Sequence, residues 1–370
     1  PANERIHGLD TLRALAVTLV VLHHYVLFVS DAPTFGWVGE IGWVGVDLFF
    51  ALSGYLIGNQ IFGAMKSPAG FSLRSFYARR FLRTLPNFYV VLALYFLWPA
   101  FRGDAPLLPL WKYLTFTQNY QLEPGSAFSH AWSLAIEEQF YMVLPAVALV
   151  VAALARSMRV AWWLIALAFI GGMLYRADAW LDVVEGERNW MRHYYKYIYY
   201  STFARFDELL AGVALALVRH YHGGAWRALT RYGNAMFACG VAVTGLAFVL
   251  FLRDHYGFGM TVFGFPLLAL GFSMLVVAAV SENSLLRSLR VPGAHSLALW
   301  SYAVYLTHKQ VCIMLAEPLR DAGYDLESPA VIAALLAASL ASGWLLYRLV
   351  ESPFMALRAR TVGWAPRAHA

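Results

Sequence analysis

The stretch "LDTLRALAVTLVVLHHY" (9–25) decides the fold. It opens an apolar run near 9–29, about the 20 residues that a membrane-spanning helix needs. Inside it lie Arg13, His23 and His24. A charge at the centre of such a helix costs about 2.5–3.5 kcal/mol, so ionisable residues there mark function or specific pairing. A signal peptide is the other reading of an early apolar run. This one is too long for an h-region, carries Arg13 and His24, and is followed by no small-residue cleavage site. It is read as a retained helix.

The rest of the chain agrees. Of 370 residues, 60% are hydrophobic and 14% charged, with mean hydropathy +0.55; soluble domains carry about 25% charged residues. That excludes a soluble enzyme, a disordered chain and a nucleic-acid binder, and predicts an all-α polytopic membrane bundle. Ten spans are expected near 9–29, 41–62, 84–101, 132–155, 159–175, 200–219, 234–252, 258–280, 296–316 and 328–350, within one membrane domain over 1–370. Cys239 and Cys312 lie in apolar runs and read as packing residues. No internal repeat supports an inverted-repeat transporter.

Loop charges orient the bundle. Lys66, Arg74, Arg79, Arg80 and Arg83, then Arg156 and Arg159, then Arg219, Arg227 and Arg231, then Arg348, Arg358, Arg360 and Arg367 all fall on one side if spans alternate. Asp31 and Glu40, a mixed-charge loop at 176–199, and Glu317, Asp321, Asp325 and Glu327 against Arg320 fall on the other. The positive-inside rule makes both termini cytoplasmic. The segment 102–131, with Pro106, Pro109 and Pro124, reads as an outer loop with a re-entrant or interfacial piece.

Ionisable residues then collect at one depth. His24 falls roughly 22 Å along the first span and His308 roughly 18 Å along the ninth. Asp47, the pair Glu137 and Glu138, and the trio Arg205, Asp207 and Glu208 begin their spans from outside. One outer polar layer, and a shared cavity, is the expectation. Arg205 and Glu208 are i,i+3 and read as a self-satisfied structural cluster. Arg13 and His24 are eleven residues apart, on nearly the same helix face and separated by roughly 16 Å. His23 points about 100° away. Arg79, Arg80 and Arg83 group on a helical face at the cytoplasmic mouth, where guanidinium groups suit phosphates or lipid head groups. Pro86 is expected to turn the chain into the third span. His23-His24 does not make a metal site, because neighbouring helical positions diverge and no ligand stands at i,i+4. Eight further histidines, His130 among them, are assigned no role.

Seven stretches in order resemble the acyltransferase-3 family of membrane O-acyltransferases: the Arg13-x10-His24 segment, "DLFFALSGYLI" (47–57), "FYARRFLRTLP" (76–86), "WSLAIEEQFY" (132–141), "RFDELLAGVALA" (205–216), "SYAVYLTH" (301–308) and "ESPF" (351–354). Tyr55 stands where relatives often have Phe. The resemblance implies transfer of an acyl group, usually acetyl, from cytoplasmic acetyl-CoA to a hydroxyl of a carbohydrate or glycolipid acceptor in a bacterial inner membrane. Many relatives carry a C-terminal hydrolase-like domain; with about twenty residues after the last expected span, a stand-alone member is expected here. On that reading Arg13, Arg79, Arg80 and Arg83 hold the donor. His24 is general base or covalent acyl carrier, and Glu137 orients it or binds acceptor hydroxyls. Asp47, Ser53, Trp132, Ser133, Glu138, Tyr305 and His308 bind acceptor or orient. Gly54 permits close helix packing. The donor is the only cofactor expected, with no metal. The rival is a transporter of a small molecule or acyl group with proton-active intramembrane residues.

Overall fold

The computed structural model describes residues 6–30, 32–154 and 157–362. Asp31, Arg156, Arg367 and His369 lie outside them. Among the described residues there is no strand. Ten helices of the described residues reach fifteen residues or more: α1 (His7–Phe28), α2 (Val44–Lys66), α3 (Leu73–Leu97), α4 (Trp132–Leu154), α5 (Arg159–Val183), α6 (Asp207–Tyr221), α7 (Gly233–Arg253), α8 (Phe265–Val280), α9 (Ala294–Asp321) and α10 (Pro329–Leu346). The chain is an integral membrane protein.

Seven of the described helical stretches are long and apolar enough to cross a membrane on their own. Leu73–Leu97, Asp207–Tyr221 and Ala294–Asp321 are not among them. Their sequences explain it. α3 begins with Arg74, Arg79, Arg80 and Arg83, α6 has fifteen residues, and α9 carries His308 and Lys309 in its middle. Such helices depend on neighbours to cover their polar groups.

α1 lies at the centre and packs against α2, α8 and α9. α2 and α6 touch most closely. Gly54 sits on the backbone of Leu209, and Gly212 sits on the backbone of Ala51 and Tyr55, so a Cβ at either position would overlap the opposing chain. This is the close approach expected at Gly54. α5 is peripheral, with Trp163, Leu167, Ile170 and Leu174 exposed for lipid.

Two expected boundaries are corrected. The third helix starts at Leu73, eleven residues before Thr84, with Ser72 capping it by accepting from the Ser75 amide at 3.3 Å. Pro86 lies inside this helix and does not turn the chain into it. Hydropathy misses the start because the first three turns are arginine-rich. The sixth helix starts at Asp207, not near 200. Residues 194–199 form a π-turn and 202–204 a 3-10 turn. The broken backbone frees carbonyls for buried arginines: Arg176 donates to Ala204 O at 2.6 Å, and Arg205 donates to Tyr199 O at 3.5 Å.

These arginines also correct the expected self-contained Arg205–Glu208 cluster. Arg205 pairs with Asp47 of α2 at 2.5 Å. Arg176 of α5 grips Asp207 with two bonds of 2.5 and 3.0 Å. All four side chains are buried. The Arg205 guanidinium lies 4.3, 4.7 and 5.1 Å from the rings of Phe265, Tyr199 and Trp132, an aromatic cage suited to a desolvated cation. Both carboxyl oxygens of Glu208 lack a partner among the described residues.

Candidate active site

Two cavities lie along α1. The first, about 310 Å³, is lined by Arg13, Arg80, Arg83, Ser53, Ser133, Glu137, Tyr141 and Tyr302 among others. The second, about 170 Å³, is lined by His23, His24, Glu40, Ser129, His130, Trp132, Tyr199 and His255 among others. Val46 and Tyr305 line both and form part of the wall between them. The α1 stripe read from sequence thus runs from Arg13 in one cavity to His24 in the other, about 16 Å of helix.

The arginine cavity is built where α2, α3 and α4 meet α1 and α9. The Ser53 hydroxyl donates to Glu137 Oε1 at 2.8 Å. Arg80 lies 3.4 Å from Glu138 Oε1 and 3.9 Å from the centre of the Tyr141 ring. Tyr302 donates to Thr84 O at 3.0 Å. Arg13 and Arg83 form no ion pair among the described residues, which leaves two guanidinium groups for an anionic ligand. Arg79 lies apart. It donates to Ser75 Oγ at 2.6 Å and does not line the cavity.

The histidine cavity contains a hydrogen-bond relay. His308 Nδ1 lies 2.9 Å from Val304 O. A carbonyl only accepts, so this nitrogen donates, and in the neutral ring His308 Nε2 carries the lone pair. His24 Nδ1 lies 2.7 Å from that Nε2 and therefore donates to it. The two rings are nearly parallel, at 4° and 5.0 Å between centroids. The relay leaves His24 Nε2 with a lone pair, the arrangement a general base requires.

Glu137 does not join this relay. It lines the other cavity, and the side chain hydrogen-bonded to His24 is His308. Asp47 and Glu138 line neither cavity; each pairs with an arginine. Ser53 and Ser133 line the arginine cavity, and Trp132 the histidine cavity. In the wall, Tyr305 donates to His130 O at 2.8 Å. Its single proton is then used, so Ser133 donates to Tyr305 Oη at 2.6 Å.

His130 is the residue that sequence reasoning missed. Its ring lies 6.1 Å from His24 and 5.8 Å from His308. Nε2 donates to Leu306 O at 3.2 Å, and Nδ1 is buried without a partner among the described residues. The 102–131 segment delivers it. Phe128 takes φ +56° and stacks on Tyr95 and Tyr113, turning the chain inward just before α4. The only local signal was its place two residues before "WSLAIEEQFY". Outside the membrane helices, Glu123 receives bonds of 2.6 Å from both Arg192 and Lys196. The bond from Arg192, then that from Lys196, holds its carboxyl below the ordinary glutamate range. No group of three or more metal-type ligands occurs among the described residues.

A helical membrane bundle with a guanidinium-lined cavity on one side of a tyrosine wall and an oriented imidazole on the other is built like a group-transfer enzyme. The chain belongs to the acyltransferase-3 family, whose acyltransferase domain it matches over residues 6–348. It is 27% identical to the peptidoglycan O-acetyltransferase OatA of Listeria monocytogenes, across 95% of this chain and 56% of that protein. It is 28% identical to a Bacillus subtilis protein named "Putative peptidoglycan O-acetyltransferase YrhL", across 94% of this chain and 54% of that one. The chain thus spans about half the length of these curated relatives. No solved structure matches it significantly.

Proposed function

We propose that this protein transfers an acetyl group from acetyl-CoA, bound at the arginine cavity, to a hydroxyl of a carbohydrate acceptor bound at the histidine cavity. The observation that carries this reading is the single helix α1, which presents Arg13 to one cavity and His24 to the other. Arg13, Arg80 and Arg83 suit the phosphates of the donor, since guanidinium groups match phosphate oxygens in pairs. The acceptor hydroxyl gives its proton to His24 Nε2 as its oxygen attacks the thioester carbonyl; the C–S bond breaks and the thiolate leaves. His308 holds His24 in the tautomer that can take that proton. The arginine end, with both termini, faces the cytoplasm of a bacterial inner membrane, consistent with the charge bias of the loops. Peptidoglycan, the acceptor in the name of the Listeria relative, is the first acceptor to test.

The test is free-thiol release from acetyl-CoA by the protein in lipid nanodiscs, with and without peptidoglycan fragments, beside a His24→Ala variant. Acceptor-dependent release that the variant lacks supports the reading. No release with any of a panel of glycans and acyl-CoAs defeats it and returns the transporter as the better account.

A further inference from the structure

A third cavity lies at the arginine end of the bundle, separate from the two just described. It is an open basin of about 500 Å³ between the end of α6, the short helix Gly223–Arg231 and the 281–287 segment after α8. Its place is fixed by neighbours. Lys66, at the end of α2, donates to His220 O, and Gly8, at the start of α1, lies against Ala279 near the end of α8. The basin shares no lining residue with the cavity of Arg13 and Arg83.

Four guanidinium groups line it, from Arg219, Arg227, Arg231 and Arg287, against the single carboxylate of Glu282. Glu282 is exposed, and among the described residues it forms no ion pair with Arg227, Arg231 or Arg287. Like charges so gathered repel one another, and an anion relieves that cost. The walls are preset. The Asn283 side chain donates to Arg231 O and accepts from the Gly233 amide at 3.2 Å. Leu285 N donates to Asn234 Oδ1 at 2.7 Å. Arg219 donates to Tyr55 Oη at 2.7 Å, and Tyr55 stacks on Trp226 with 6.2 Å between ring centroids. The loop that carries Glu282 is thereby tied to the helix that carries Arg227 and Arg231.

We propose that this basin is a second anion site that binds a phosphate ester. Planar guanidiniums match phosphate oxygens in bidentate fashion, and the volume exceeds what a single inorganic phosphate fills. Two sources carry this chemistry: the head group of an anionic phospholipid and a soluble phosphorylated nucleotide. The site is independent of the acyl-transfer reading, because neither its residues nor its charge excess depends on the reaction.

The experiment uses the full chain in nanodiscs. One arm counts phosphatidylglycerol retained against phosphatidylcholine by native mass spectrometry. The other titrates adenosine 3′,5′-bisphosphate in phosphatidylcholine alone and in an Arg83→Gln background, which weakens the donor cavity's own hold on this probe. Arg227→Gln/Arg231→Gln changes two exposed positions, so folding is kept, and thermal unfolding verifies it. The expected result is a loss of about tenfold in binding of one probe, the scale of one charge-assisted hydrogen bond. Wild-type binding of that probe should itself weaken as salt rises. Loss of phosphatidylglycerol identifies a lipid head group, and loss of the bisphosphate identifies a nucleotide. Adding Arg287→Gln should deepen the same loss. Unchanged binding of both probes in the folded double variant overturns the proposal.

Discussion

His308→Phe tests the relay most directly. The change keeps an aromatic ring against His24 but removes the acceptor of its Nδ1 proton. In the resting enzyme the bond of 2.7 Å between two neutral rings is worth about 0.5–1.5 kcal/mol. When His24 takes the acceptor's proton it becomes a cation, and the same bond becomes charge-assisted, worth about 1.5–3 kcal/mol. Only the strengthening between these states lowers the barrier, and the freed ring also loses its fixed tautomer. Together these predict a fall in kcat of about 10- to 100-fold. Removing the base itself, in His24→Ala, should cost about 10²–10⁴. The assay is thiol release in nanodiscs at saturating acceptor. KM for acetyl-CoA should stay within about twofold, because the donor cavity is lined by other residues. The double variant should be no slower than His24→Ala alone, since His308 acts only through His24. A double variant slower by the product of the single effects, or a kcat unchanged in His308→Phe, would refute the reasoning.

Three further outcomes follow from the geometry. Arg83→Gln should raise KM for acetyl-CoA severalfold, whereas Arg79→Gln, which removes only a bond to Ser75 outside the cavity, should leave initial-rate kinetics near wild type. Asp47→Ala strands the buried Arg205 cation in its aromatic cage; thermal unfolding should show a loss of about 3–5 kcal/mol, the usual result of breaking one side of a buried pair. The Glu123 carboxyl is held below its ordinary value by Arg192 and Lys196. Its contribution is therefore complete above the unfolded-state value of about 4.3 and fades as pH falls through the lowered native one. Hydrogen exchange across 190–200 should be faster in Glu123→Gln than in wild type near neutral pH, and the two should converge in acid; equal exchange at neutral pH would remove the clamp.

Legibility in the sequence followed the range of the interaction. The eleven-residue interval from Arg13 to His24 is a property of one helix, and it translated directly into two cavities on one stripe. The all-helical character and the rough helix positions were likewise local, because apolar runs announce themselves. The arginine-rich start of α3 was hidden from hydropathy, since the cover for its Arg80 charge, Glu138 and the Tyr141 ring, comes from another helix. Arg176 looked like part of a mixed-charge loop. It is a buried residue inside α5 whose meaning depends on Asp207, thirty-one positions away. The shared outer layer expected of Glu137 and His24 is divided: Glu137 lines the cavity of Arg13, across the Val46–Tyr305 wall from His24, and counting residues along separate helices does not reveal such a wall. His130 depended on an irregular segment whose path is set by aromatic stacking, and no periodicity reports that.

The wall made by Val46, Ser133 and Tyr305 has an electrical consequence. A bilayer insulates, and a water-filled bore running along α1 would short-circuit whatever ion gradient the membrane sustains. The Ser133 hydroxyl bonds to Tyr305, which in turn bonds to the backbone of His130, so these hydroxyls are committed to one another and to main chain. Acyl transfer as proposed needs only these few side chains to part for the thioester carbonyl to reach the acceptor hydroxyl, while the rest of the bundle keeps the membrane's voltage.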